Sequence, residues 1–113
     1  MENIEVELRH KKPISEKDLW KIKKCTNNAF NKIGSDSYRQ KIVYKLLNAA
    51  KSSNQREFFS ILLRTLNGQK SDEDVKELLN KLQEIYPLTS KSFENVTYSI
   101  IMGIMSAESI GGN

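Results

Sequence analysis

One histidine and one cysteine carry nearly all the nucleophilic and metal-binding options in this sequence. His10 lies between Arg9 and Lys11. Neighbouring positive charge opposes its protonation and no adjacent carboxylate orients the ring, so it reads as a solvent-exposed loop histidine rather than a general base. Cys25 falls beside the polar face of a helical pattern, where a partly buried free thiol fits better than a reactive one. One His and one Cys cannot build a zinc cage. Asp72-Glu73-Asp74 lacks the glycine-turn spacing of a calcium loop, and no glycine-rich phosphate loop is present. Nothing singles out a carboxylate pair for glycoside-type chemistry. The expectation is a protein with no catalytic site and no cofactor.

The residues that do form a pattern are cations. Lys17, Lys21, Lys24, Asn28 and Lys32 recur every three or four positions, so on a helix they fall within about 80° of one another. They make a rail without glutamate, whereas a merely solvated face usually mixes both signs. Arg56, Ser60, Arg64 and Asn67 make a second rail flanked by Glu57, and Lys41, Lys45 and Asn48 a third, with Tyr44 beside it. Lysines, arginines and small amides on exposed helix faces can hold a phosphate backbone without reading bases. Trp20 borders the first rail, as a base-stacking platform or, more often for such a residue, a core or subunit contact.

Helical elements must position these side chains. Residues 2–8 alternate, with Ile4, Val6 and Leu8 on one side, which suits a short extended segment leading to a basic connector that ends at Pro13. Ser15 with Asp18, and Ile14 with Leu19, supply a cap and a hydrophobic staple for a helix over residues 15–33, ended by Gly34. Ser35-Asp36-Ser37 opens a second helix that buries Tyr38, Ile42, Val43, Leu46, Ala49 and Ala50 and ends near Ser52. Asn54 and Glu57 start a third, burying Phe58, Phe59, Leu62, Leu63 and Leu66 before Asn67-Gly68. Ser71 and Asp74 cap a fourth, whose acidic first turn suits the helix dipole and which Pro87 closes. Ser90 or Ser92 begins the fifth, with Phe93, Val96, Ile100 and Ile104 inward. Tyr98, Ile101, Met102 and Met105 project from another side, and Tyr98, Met102 and Met105 are candidates for a protein interface.

The whole is expected to be an all-α, compact bundle of about five helices, one domain over residues 1–113. The single cysteine precludes an intrachain disulfide, the N-terminus lacks the pattern of a secretory signal, and the longest apolar run, residues 99–105, is far too short to span a membrane. A cytoplasmic protein is expected. Charge is unevenly spread: residues 1–56 hold 13 Lys+Arg against 6 Asp+Glu, residues 57–113 hold 5 against 8. Such asymmetry favours a phosphate backbone or an acidic protein face as partner.

Residues 38–64, YRQKIVYKLLNAAKSSNQREFFSILLR, with the acidic capped helix after them and the closing YSIIMGIMSA, resemble the C-terminal helical region of the large subunit of type I CRISPR Cascade, the equivalent of the free-standing small subunit. The resemblance covers residues 38–107. It implies a non-catalytic helical subunit, an internal-start product of the large-subunit gene in several such systems. Its implied partners are the large subunit, the backbone subunits and further copies of itself. It also implies support of guide RNA, target strand and displaced strand through backbone contacts, and Lys41, Lys45, Arg56 and Arg64 fall in the matched region. The alternative reading is a helical adaptor whose basic rails meet an acidic protein partner.

Overall fold

The computed structural model describes residues 14–108, which fold as five α-helices and one short 3-10 turn, with no strand among the described residues. The expected extended segment at residues 2–8 lies outside them. Helices α1 (Glu16–Phe30), α2 (Asp36–Lys51), α3 (Gln55–Leu66), α4 (Glu73–Ile85) and α5 (Ser90–Met105) follow in chain order, with the 3-10 turn at Asn67–Gln69. No helix among the described residues is long and apolar enough to cross a membrane.

Local side chains set most boundaries. Ser15, Ser35 and Asn54 each accept a hydrogen bond from the backbone N–H three residues on, at Asp18, Tyr38 and Glu57, satisfying donors that a first helical turn leaves open. The cap of α4 is Asp72 rather than Ser71, its Oδ1 taking the N–H groups of Asp74 and Val75. That of α5 is Thr89, one residue before the expected serines. Helix α1 ends at Phe30, short of residue 33, and Gly34 turns the chain at a positive φ of 49°. Helix α2 closes in a Schellman arrangement. Ser53 stands at φ 54°, its N–H bonded to Ala50 O, and Asn54 N–H reaches Ala49 O. Asn54 then caps α3 directly, so α2 and α3 are joined through little more than one left-handed residue.

One buried set unites the five helices: Ile22, Ala29 and Phe30 from α1, Leu46 from α2, Phe58, Leu62 and Leu66 from α3, Val75 and Leu78 from α4, Val96, Ile100 and Ile104 from α5. Helix α1 packs on α5 and α4, and α2 on α3 and α5. Helices α1 and α5 approach closely where Gly103 faces Thr26 and the carbonyl of Lys23; a Cβ on Gly103 would stand 2.7 Å from that oxygen. Phe58, Phe59 and Phe93 meet edge to face at 5.3–6.0 Å, tying α3 to α5.

Three expectations about burial change. Leu63 is 53% exposed and Tyr38 39%, because Phe59 and Ile42 already fill the inward positions of their helices. Ile101 is buried, so α5 offers a narrower outer stripe than its composition suggests. Arg39 is buried as well. Its guanidinium donates to the carbonyls of Phe30, at the end of α1, and of Ile33 and Gly34 in the turn that follows, and pairs with Asp36.

Candidate nucleic-acid interface

The first cationic rail is a seam. Lys21 Nζ lies 3.0 Å from Glu77, Lys32 Nζ 2.5 Å from Asp72 and 3.4 Å from Asp74, and the Asn28 amide donates to Asp74 at 3.3 Å. Lys81 of α4 completes the lacing at Asp18 and Glu84. The acidic first turn of α4 therefore serves α1 as well as its own dipole. Hydrogen bonding to Lys32 holds the Asp72 carboxyl below the usual carboxylate range, and the same contact raises Lys32. Glu77 is lowered chiefly by its hydrogen bond to Lys21 and then by the Cys25 thiol. Helices α1 and α4 together hold as many acidic as basic residues.

Of that rail, Lys17 and Lys24 remain exposed without an ion pair among the described residues. Lys24 Nζ sits 5.1 Å from the centroid of the Trp20 ring, a cation–π contact that occupies one face of this exposed indole. Cys25 is buried, 3.5 Å from Glu77 Oε1, and burial reinforced by that carboxylate pushes the thiol up to about 11. It is not poised for nucleophilic chemistry. Among the described residues no group of three His, Cys, Asp or Glu gathers to hold a metal ion.

The second and third rails come together differently. Lys45 and Asn48 of α2, Ser52 and Asn54 of the junction, and Glu57 and Arg64 of α3 line one cleft of about 440 Å³. Lys41 lies one turn before Lys45 on the same helix, and both are exposed with no ion pair among the described residues. Arg64 donates to Ser60 Oγ at 3.3 Å and reaches Glu57 only at 3.8 Å, so its guanidinium keeps donors to offer. Arg56, by contrast, is turned away from Arg64. With Phe59, Leu63, Leu79, Leu82 and Tyr86 it lines an apolar groove of about 540 Å³ where α3 and α4 diverge. The rail drawn through Arg56, Ser60 and Arg64 thus serves two grooves.

On α5, Tyr98 is 68% and Met105 66% exposed, with Met102 half-buried between them, and Met105 lines a cleft with Gln40 and Val43 of α2. Helix α5 is locked to α1 by asparagines: Asn27 donates to Gly103 O at 3.1 Å, and Asn31 Oδ1 accepts from the N–H of Glu108 at 2.7 Å. Sequence periodicity does not flag these clasps, because asparagine on a helix reads as surface.

Comparison with protein-family models, curated proteins and solved structures finds no match.

Proposed function

We propose that this protein is a non-catalytic helical subunit that holds a nucleic-acid backbone across α2 and α3. Following the resemblance of residues 38–107, we place it as a small subunit of a CRISPR Cascade complex. The observation that carries the binding reading is the contrast between two helix pairs. Acids neutralise α1 and α4 across their shared seam, whereas Lys41, Lys45 and Lys51 of α2 have no carboxylate partner among the described residues, and Lys45 shares a cleft with Arg64. Phosphates are the ligands such ammonium groups suit, and contacts of this kind position a strand without reading its sequence. Tyr98, Met102 and Met105 would face neighbouring subunits, leaving α2 for the strand.

Charge reversal at Lys41 and Lys45 tests the reading. Lys41→Glu/Lys45→Glu is expected to keep its helicity and to lose affinity equally for unrelated sequences. The salt slope should shrink by about 0.9 per duplex phosphate contact removed, or about 0.7 for a single strand. Unchanged affinity and slope overturn it. The exposed lysines of α2 also suit an adaptor that docks on an acidic protein face; that reading predicts binding to an acidic protein but none to nucleic acid. Co-expression with Cascade large and backbone subunits tests the placement: Tyr98→Ser/Met105→Ser should abolish co-purification while leaving the bundle folded.

A further inference from the structure

Among the described residues Tyr44 is the most exposed of the large apolar and aromatic side chains, at 70%, and its ring meets no other aromatic ring. It stands on the outer meridian of α2. At 100° per residue, Lys41, Tyr44, Asn48 and Lys51 fall within a strip about 80° wide that rises roughly 15 Å along the helix. Lys45 borders the strip and leads into the cleft shared with Arg64. No carboxylate lies on this strip; the acid of the helix, Asp36, is at its start and engaged with Arg39.

The molecule contains its own comparison. Trp20 on α1 is also exposed, yet Lys24 already sits over its ring and Lys21 is held by Glu77 one turn away. On α2 the equivalent cations do not cover the ring and are not drawn to a neighbouring helix. An aromatic face left open between two ammonium groups is free to stack on a planar ligand whose flanking charges are negative. A flat, uncharged ring tethered between phosphates fits the strip. A nucleobase in a single strand has that shape, whereas duplex bases are already stacked on one another.

We infer that α2 binds single-stranded nucleic acid in preference to duplex, with a base stacked on Tyr44 and the flanking phosphates held by Lys41 and Lys51. The inference rests on the backbone-binding reading of the same face and adds the class of strand it takes. Stacking uses the base and not the 2′ position, so DNA and RNA strands are expected to serve alike.

The test uses the full chain and fluorescein-labelled oligothymidylate, oligouridylate, an abasic strand of equal length, and a blunt duplex. The wild type is expected to bind both base-bearing strands about tenfold more tightly than the abasic strand. Tyr44→Ala should erase that preference without changing duplex affinity or the salt slope, because no phosphate contact is lost, and Tyr44→Trp should restore it. Equal affinity of the wild type for base-bearing and abasic strands, or an undiminished preference in Tyr44→Ala, overturns the stacking inference. Unchanged affinity of Lys41→Glu/Lys45→Glu for every strand instead removes the backbone reading, so the two fail separately. Absence of any binding at low salt overturns both.

Discussion

The ammonium of Lys32 lies 2.5 Å from Oδ2 of Asp72, the residue whose other carboxylate oxygen caps α4. One side chain thus ends the solvent exposure of two backbone donors and anchors the turn after α1, so helix initiation and helix packing depend on the same carboxylate.

That double duty predicts a pH dependence with a definite sign. Asp72 titrates lower in the folded chain than in the unfolded one, so its contribution is present above the ordinary aspartate value of about 3.9 and is lost as pH falls through the folded value. Lys32 titrates higher, so its contribution is complete below about 10.4 and is lost as pH rises through its raised value. Asp72→Asn, which keeps a capping oxygen, should flatten the acid limb of a Tm-against-pH curve. Asp72→Ala should cost a further ~1 kcal/mol, the usual worth of a cap. An acid limb as steep in Asp72→Asn as in the wild type would show that the pair contributes nothing.

Gly103 predicts a second effect, where α5 lies tight against α1. Because an added Cβ meets the backbone oxygen of Lys23 at 2.7 Å and Thr26 Cβ at 2.9 Å, Gly103→Ala must push α5 off α1. A loss of about 1–3 kcal/mol in denaturant unfolding is expected. Thr26→Ser should not rescue it, since the carbonyl cannot retreat.

Ser53 offers the opposite sign. A serine at φ 54° carries a strain that glycine does not, so Ser53→Gly should raise stability by up to about 1 kcal/mol, while Ser53→Ala should not. Paired thermal melts of the two variants decide it.

Cys25 predicts a chemical rate. With its thiol raised to about 11, first by burial and then by Glu77, it should react with a disulfide reagent at pH 8 far more slowly in the native chain than in the denatured one. Glu77→Gln should speed the native reaction only in part, because burial remains. A native rate equal to the denatured one would contradict the buried, carboxylate-bonded placement.

Much of the architecture can be read from local chemistry. Ser15, Ser35 and Asn54 cap where their spacing places them, because a cap is a contact between a side chain and its own next turn. Asp72 displaces Ser71, and Thr89 precedes the two serines, where neighbouring residues share capping chemistry and only the path of the chain selects between them. Arg39 and Gly103 escape a sequence reading for a different reason. An arginine at a helix start looks like surface until the carbonyls of the turn after the preceding helix arrive beside it, and a glycine inside an apolar helix looks like a weakness until another backbone needs its place.

The cationic site divides along the same line. Spacing along one helix groups Lys17, Lys21 and Lys24 on α1, with Lys32 two residues past its end, but periodicity carries no information about which helix those lysines will meet. The acids of α4 and its cap lie forty or more residues downstream of Lys21 and Lys32. Conversely, Lys45 and Arg64 belong to separate helical patterns and share a cleft only because Ser53 turns α3 back against α2.

The neutral seam between α1 and α4, set against the lysines of α2 that have no ion pair among the described residues, gives the helical bundle an electrical front and back. Near any polyanion such a body experiences a torque as well as an attraction, so it arrives turned with α2 leading instead of searching orientations after collision. Steering of this kind appears in the association rate and fades as added salt shortens the reach of the field, while the dissociation rate is set by the contacts finally made.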